Sequence, residues 1–268
     1  EFRRVLFRSR QHEDAIWRLR RAIRRWPTDA ANYHTLADIY WNQRKFDEAQ
    51  ELYRFAACLA DKNEQYQESY FRAAIWFKQS ERVLSLLRDR VSRFGQQSSQ
   101  PAMSLAAALL DLERGPEAIA VLDQAIEERP NDGELLLYTA SILQSAGTDQ
   151  LPRCRALLEQ SRDKAPRSQW LRCAARLERS EGNLAAALEL WQAVLEIQPL
   201  ALDAHQAVSR LLEETAGRDV AAAHFRHSIE QWPHFYPLHQ LWIEWLREEA
   251  AEVREPALRQ MIANFPHD

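Results

Sequence analysis

The sequence is poor in the residues on which most cofactor and metal sites depend. Glycine occurs six times in 268 residues, and there is no GxGxxG, GxxxxGK[ST] or GxSxG motif, so the chain offers no standard phosphate-binding loop and no nucleophile elbow. The three cysteines, Cys58, Cys154 and Cys173, lie far apart and form no CxxC pair. Neither a disulfide framework nor a zinc knuckle is indicated. We therefore expect no cofactor and no metal site.

Long apolar runs and a basic excess are missing as well. No apolar stretch approaches the roughly 18 residues that a membrane-spanning helix needs. The formal net charge is −4, whereas nucleic-acid-binding domains usually carry a basic excess. We expect neither a membrane nor a nucleic-acid partner, and a cytoplasmic location by default.

What the sequence has in abundance is helix-forming residues in a repeating pattern. Blocks such as "AIAVLDQAIEERP" (118–130) and "ALELWQAVLEIQP" (187–199) share a small residue, an apolar residue four later, a second small residue and a closing proline. The closing prolines recur about every 34 residues, a period typical of stacked helix pairs. They include Pro130, Pro166, Pro199, Pro233 and Pro266. The glycines expected in the turn between paired helices are Gly115, Gly147, Gly182 and Gly217.

The segment 31–63 shows one repeat most clearly. Its apolar residues are spaced by three and four on each of two helices, which places each set on one helix face. The first-helix set is Tyr33, Leu36, Ala37 and Tyr40, and the second-helix set is Ala49, Tyr53 and Ala56. This pattern resembles the tetratricopeptide repeat (TPR). The resemblance implies an all-α, right-handed superhelical solenoid of antiparallel helix pairs, with about seven repeats and a leading half repeat.

The repeat period also predicts the domain organisation. The predicted units are 10–29, 30–63, 64–98, 99–132, 133–167, 168–201, 202–235 and 236–268. We expect 10–268 to be one solenoid, truncated at both ends, from a larger bacterial protein, with its leading helix beginning near Gln11. Residues 1–9, "EFRRVLFRS", lack the repeat pattern and back-translate to a common sequencing-adapter oligonucleotide. We expect this segment to be non-native.

The TPR resemblance implies that the first helix of each pair lines a concave groove that binds a peptide or a partner protein. We predict groove-lining residues by taking first-helix positions off the packing stripe. In the early repeats they are His34, Asp38, Trp41, Asn42 and Arg72, with Glu68 and Trp76 on the same helix as Arg72. In the later repeats they are Arg172, Arg176, Arg179 and Arg210.

Three of these arginines share one helix face. Arg172, Arg176 and Arg179 are spaced i, i+4 and i+7, and such a row suits the carboxylates of an acidic peptide. The alternative is a solvated helix face balanced by Glu178, Glu181 and Asp163.

A histidine-rich stretch, "HFRHSIEQWPHFYPLH", is the strongest metal candidate in the chain. It holds His224, His227, His234 and His239. The first two could share a metal at i, i+3, but the others lie across a proline turn, so packed or surface histidines are favoured.

We therefore expect a non-catalytic protein–protein interaction scaffold and not an enzyme. Two alternatives stay open. The first is a repeat region that recruits substrates or partners for a larger bacterial enzyme, with a papain-like peptidase domain further C-terminal. The second is an RNA-binding helical repeat, which the net acidity disfavours.

Overall fold

A computed structural model describes residues 2–247 and 251–265, with side chains from residue 13 onward in these ranges. Within them the chain forms fifteen α-helices and one short 3-10 helix, Thr148–Gln150, and no β-strand. The α-helices are α1 (Phe2–Arg25), α2 (Ala30–Asn42), α3 (Phe46–Leu59), α4 (Glu64–Trp76), α5 (Ser80–Phe94), α6 (Gln100–Asp111), α7 (Gly115–Glu128), α8 (Gly133–Ala146), α9 (Leu151–Ser161), α10 (Arg167–Ser180), α11 (Leu184–Ile197), α12 (Leu202–Ala216), α13 (Arg218–Gln231), α14 (Tyr236–Trp245) and α15 (Ala251–Asn264).

After the single helix α1, consecutive helices form antiparallel pairs, beginning with α2 and α3 and ending with α14 and α15. The earlier member of each pair is its first helix, and the later member is its second helix. The prediction of seven helix pairs after a leading half repeat is confirmed. The chain divides into two compact units, Glu1–Pro130 (the N-terminal unit) and Asn131–Asp268 (the C-terminal unit).

The core of each unit consists of the residues on the predicted packing stripes. In the first repeat, Leu36, Ala37 and Tyr40 of α2 are buried, while Tyr33 is half-buried. The second-helix set of Ala49, Tyr53 and Ala56 is also buried. The alanines have side chains small enough to let neighbouring helix backbones approach, and the aromatic rings fill the remaining volume. Helix pairing in this chain therefore follows directly from the spacing of small and large residues.

Three of the closing prolines, Pro27, Pro199 and Pro233, accept a side-chain hydrogen bond from the start of the following repeat. The hydroxyl of Tyr33 donates to the carbonyl of Pro27 at 3.0 Å. Nε2 of His205 lies 2.8 Å from the Pro199 carbonyl, and Nε2 of His239 lies 2.9 Å from the Pro233 carbonyl. In each case the donor follows the proline by six residues. Because a carbonyl only accepts, both histidines carry a proton on Nε2 in this arrangement.

The leading helix is longer than the repeat pattern predicts. Helix α1 runs without interruption from Phe2 to Arg25, so the prediction that it begins near Gln11 is wrong. The sequence from Phe2 to Arg25 contains neither glycine nor proline, so no helix breaker separates its first residues from the rest. Ile16, Leu19 and Ile23 are half-buried, as expected for a helix without a preceding partner. Residue 1 and the side chains of residues 2–12 lie outside the described residues, and the origin of 1–9 stays a prediction.

Candidate functional site

Two of the four arginines predicted in the later repeats form ion pairs between α10 and α12. The side chain of Arg172 is 17% exposed and donates two hydrogen bonds to Asp203, from Nε to Oδ2 at 2.6 Å and from Nη2 to Oδ1 at 3.2 Å. The Arg172 guanidinium holds the pKa of the Asp203 carboxyl below its ordinary value. Nη2 of Arg179 lies 2.5 Å from Oε1 of Glu214. These pairs join the first helices of consecutive repeats, so both guanidinium groups already have a carboxylate partner.

Arg176 and Arg210 are exposed, as Arg179 is, but they differ from Arg172 and Arg179 in their contacts. They are 34 residues apart, so they hold the same place in consecutive repeats, on α10 and α12. Within the described part of the chain, neither has a carboxylate partner. Nε of Arg176 donates to the carbonyl of Arg172 in its own helix at 3.3 Å. The first-helix face of the C-terminal unit therefore presents two uncompensated positive charges.

The glutamates that could have balanced this face bind another helix. Nη2 of Arg155, on α9, lies 2.9 Å from Oε1 of Glu178 and also contacts Glu181. These contacts raise the pKa of Arg155. Burial would raise the pKa of Glu178, but hydrogen bonds from Asn183 and Arg155 leave it lowered. Glu178 and Glu181 thus bind an arginine of the second helix α9, and neither pairs with Arg176.

In the N-terminal unit, His34 is buried between helices, and Asp38, whose side chain is 49% exposed, lies beside it. His34 is 8% exposed, and its Nε2 lies 2.9 Å from Oγ of Ser69 on α4. Its Nδ1 lies 3.4 Å from Asp38, whose carboxylate accepts a hydrogen bond from the hydroxyl of Tyr53 at 2.8 Å. Burial, together with the Asp38 carboxylate, raises the pKa of Tyr53 because both disfavour the phenolate. The predicted pair connects α2 to α3 and α4.

An aromatic cluster of Trp41, Phe46 and Trp76 lies where the first helices end. The ring centroids of Trp41 and Phe46 are 4.9 Å apart, as are those of Phe46 and Trp76. Trp41 and Trp76 lie 6.2 Å apart with a steep interplanar angle of 74°. Trp76 is 61% exposed, an unusual degree for so large an apolar side chain. The cluster therefore leaves a sizeable aromatic surface open at one edge of the unit.

The other two predicted residues of this region, Asn42 and Arg72, are exposed next to the aromatic cluster in the sequence. Asn42 directly follows Trp41 at the end of α2. Arg72 lies one helical turn before Trp76 and pairs with Glu68 at 2.6 Å along the same helix. This exposed pair leaves Arg72 available to a partner at low energetic cost.

The sequence analysis missed a buried ion-pair network in the N-terminal unit. Arg90 on α5 is 2% exposed, and its two Nη atoms donate to the Glu64 carboxylate at 2.6 and 3.0 Å. Its Nε donates to the Asp61 carbonyl at 2.7 Å, while the hydroxyl of Ser104 on α6 donates to the same Glu64 at 2.6 Å. The network joins α4, α5 and α6. Arg90 follows Leu87 by three residues on a buried apolar stripe. A charged residue on such a stripe indicates a buried ion pair, so the sequence does contain a signal for this network.

A second missed contact pairs two histidines. Nδ1 of His205, on α12, lies 3.2 Å from Nε2 of His224, on α13. Because His205 donates from Nε2 to Pro199, its Nδ1 must accept, and His224 must donate from Nε2. Burial lowers the pKa of both rings, that of His224 to about 4. The arrangement thus favours two neutral imidazoles that hold α12 against α13.

The remaining histidines of the predicted stretch have separate surroundings. His227 lies 3.1 Å from the Gln231 side chain, His239 bonds the Pro233 carbonyl, and His234 is exposed. The described residues contain no group of three or more His, Cys, Asp or Glu side chains placed to hold a metal ion. In the same residues, none of the helices combines the length and apolar character needed to cross a membrane.

Comparison with known proteins identifies the fold. No protein-family model matches the chain, and no curated protein matches it. The chain is similar to TTC0263, a thermophilic TPR protein from Thermus thermophilus, with a TM-score of 0.51 and 19% identity over 68% of this chain and 98% of that one. It is also similar to a chain of the APC/C hetero-tetramer Cut9–Hcn1, with a TM-score of 0.52 and 12% identity over 87% of this chain and 46% of that one.

Identities this low show the fold alone. The chain has the all-α fold of a TPR-like solenoid, as the residue pattern of 31–63 implied.

Proposed function

We propose that this TPR-like chain is an interaction scaffold that binds a protein partner along the first-helix faces of its repeats. The observation that carries the proposal is the pair of Arg176 and Arg210. Each holds the same position in its repeat, each is exposed, and neither has a carboxylate partner among the described residues. Unpaired guanidinium groups at equivalent positions of neighbouring repeats suit a ligand that runs across several repeats.

The paired arginines support this role by positioning the unpaired ones. Arg172 and Arg179 lie on either side of Arg176 on α10 and bind carboxylates of α12. These contacts fix the two helices relative to each other, and so they fix the spacing between Arg176 and Arg210. A site that is already arranged before binding loses less entropy when a ligand binds.

The chemistry of the two groups indicates the partner. A guanidinium group forms charge-assisted, often bidentate hydrogen bonds with carboxylates, so the fitting ligand is an acidic segment of a protein. One of the similar structures, the Cut9–Hcn1 hetero-tetramer, is itself a protein–protein assembly, which agrees with this class of partner. The proposal includes neither catalysis by this chain nor a nucleic-acid partner. In the N-terminal unit, Asn42 and Arg72 are exposed candidates and Trp41 is a half-buried one, whereas His34 and Asp38 bond to neighbouring helices.

Removing the two unpaired charges should weaken binding without unfolding the chain. A peptide-display selection on the purified protein should enrich acidic peptides. We expect the Arg176→Ala/Arg210→Ala double variant to bind those peptides about tenfold more weakly at low salt, since two charge-assisted contacts are lost. Fluorescence anisotropy with a labelled peptide measures the change, and the difference should shrink as salt is added.

A charge-matched control separates this effect from a change in net charge. Arg162 and Arg226 are exposed arginines in the same unit that belong to the end of α9 and to α13, both second helices. The Arg162→Ala/Arg226→Ala variant should bind the selected peptides as the wild type does. Equal losses in both double variants, or a selection without acidic bias, would contradict the proposal.

A further inference from the structure

Every turn that the structure describes within a helix pair contains one residue with a positive φ angle. The six positions recur every 34 or 35 residues. They are Arg44, Lys78, Glu113, Gly147, Gly182 and Gly217. The C-terminal unit uses glycine at this position, whereas the N-terminal unit uses residues with long side chains, at φ values of 62°, 57° and 59°.

The left-handed conformation is strained for every residue that has a Cβ atom, and glycine adopts it freely. Gly182, at φ 85°, shows that glycine serves in a three-residue turn with the same backbone hydrogen bonds as the turn of Arg44. Retaining Arg44 and Lys78 therefore carries a cost that the backbone does not require. Strained residues of this kind are concentrated at functional sites, and Arg44 and Lys78, unlike Glu113, also lie next to the aromatic cluster in the sequence.

Arg44 and Lys78 adjoin the aromatic cluster. Arg44 lies in the three-residue turn between α2 and α3, the helices that carry Trp41 and Phe46, and Lys78 follows Trp76 by two residues. Both turn residues are exposed, and neither has a carboxylate partner among the residues that the structure describes. The exposed aromatic surface is thus edged by two free positive charges.

The acidic residues nearest in sequence to the two turn cations have other contacts. Asp47 and Glu48 of α3 line a groove together with Arg20 of α1, and Glu81 of α5 pairs with Arg114. Lys45 does not belong to the edge of the cluster, since its Nζ lies 5.3 Å from the ring centroid of Tyr40, which lines the same groove as Arg20. The open edge of the N-terminal unit is therefore aromatic in its centre and basic at its rim.

We propose that the aromatic cluster, with the turn residues Arg44 and Lys78, is a docking site for an acidic protein segment that carries a bulky apolar anchor. The anchor side chain packs on Trp41 and Trp76, and the flanking carboxylates bind the two turn cations. An exposed tryptophan such as Trp76, backed by the half-buried Trp41 and bordered by charged residues, has the composition of a protein-interaction hot spot. This inference rests on the proposed function, since it identifies a partner class for a second surface of the same scaffold.

The test uses synthetic peptides and the intact chain. The probe is acetyl-Glu-Glu-Leu-Phe-Glu-Glu-amide, and its controls replace either Leu-Phe by Ala-Ala or every Glu by Lys. Tryptophan fluorescence, to which Trp41 and Trp76 contribute, reports binding. We expect the acidic peptide with the Leu-Phe anchor to bind most tightly, and Trp76→Ala to weaken it by about tenfold or more.

The turn residues permit a sharper test because stability and binding should change independently. In Arg44→Gly/Lys78→Gly, the unfolding midpoint in urea should stay unchanged or rise, since the strain is removed. Binding of the acidic peptide should nevertheless weaken several-fold at low salt, since two flanking charges are lost. Glu113→Gly is the matched control: it changes the same turn position in a repeat without the aromatic cluster, so binding should stay at the wild-type level.

Three results would overturn the inference. They are a peptide affinity that does not depend on Trp76, equal binding of the Lys-substituted peptide, and a clearly lowered unfolding midpoint in Arg44→Gly/Lys78→Gly. The last result would mean that the side chains of the turns hold the fold. If these peptides fail while display-selected peptides still depend on Arg176 and Arg210, the docking site is wrong and the scaffold function stands. If peptide binding depends neither on Trp76 nor on Arg176 and Arg210, the scaffold function is wrong as well.

Discussion

Replacing Arg90 by methionine should destabilise the N-terminal unit by about 3 kcal/mol, the lower end of the range for breaking a buried ion pair. Arg90 is almost completely buried and makes three hydrogen bonds to Glu64 and the Asp61 carbonyl. Its removal leaves the Glu64 carboxylate at the start of α4 with only Ser104 as a side-chain partner. The lower end of the range applies because the Glu64 side chain is 26% exposed, so water can solvate part of its charge.

The same helix supplies the control. Arg93, one turn after Arg90, pairs with Asp61 at 3.2 Å, but both side chains are about half exposed. Arg93→Met should therefore change stability by less than about 1 kcal/mol. Urea unfolding followed by circular dichroism measures both variants. Similar small losses for Arg90→Met and Arg93→Met would show that the network does not hold α4, α5 and α6 together.

Adding a single methyl group at Gly133 should also cost about 3 kcal/mol, because the group has no room. A Cβ atom on Gly133 would lie 2.3 Å from both the carbonyl carbon and the oxygen of Lys164, and 2.6 Å from the nitrogen of Ala165. All three are backbone atoms, so the clash is relieved only by moving the start of α8 away from the segment between α9 and α10. Gly133→Ala should thus loosen the packing of the first repeat of the C-terminal unit.

Gly115 provides a matched comparison, since it is also the first residue of its helix. No atom lies within 4 Å of a Cβ built there. Gly115→Ala should be neutral or stabilise by up to about 1 kcal/mol, because alanine reduces the entropy of the unfolded chain. Thermal unfolding of both variants checks the contrast, and equal effects of the two substitutions would contradict the close approach at Gly133.

The sequence predicted most of the repeat architecture because that architecture depends on local spacing. Stripe residues such as Leu36 and Tyr53 mark helix faces directly, and the closing prolines mark the repeat boundaries. The turn positions were predicted less well. Gly115 was expected in a turn but begins α7, and the left-handed residue of that turn is Glu113. A glycine near a turn indicates that a residue there has a positive φ angle, but it does not show which residue adopts it.

The candidate sites could be predicted only in part. First-helix phasing selected Trp41, Arg176 and Arg210, which stay candidates. It could not separate Arg176 from Arg172, because the difference lies in Asp203, a residue of the next repeat. The partners of Arg90 and the neighbour of Gly133 are likewise distant in the sequence. Such pairings depend on how neighbouring repeats are set against each other, and the period of the sequence does not contain that information.

Photo-crosslinking can show whether a partner binds the first-helix face. Gln206 is exposed on α12 one turn before Arg210, whereas Ala223 is exposed on the second helix α13. A photoreactive side chain at either position is compatible with the fold because both face solvent. We predict that an acidic peptide selected on the wild-type chain crosslinks efficiently to position 206 and only weakly to position 223. Equal crosslinking at the two positions, or crosslinking at 223 alone, would show that the peptide does not bind the first-helix face.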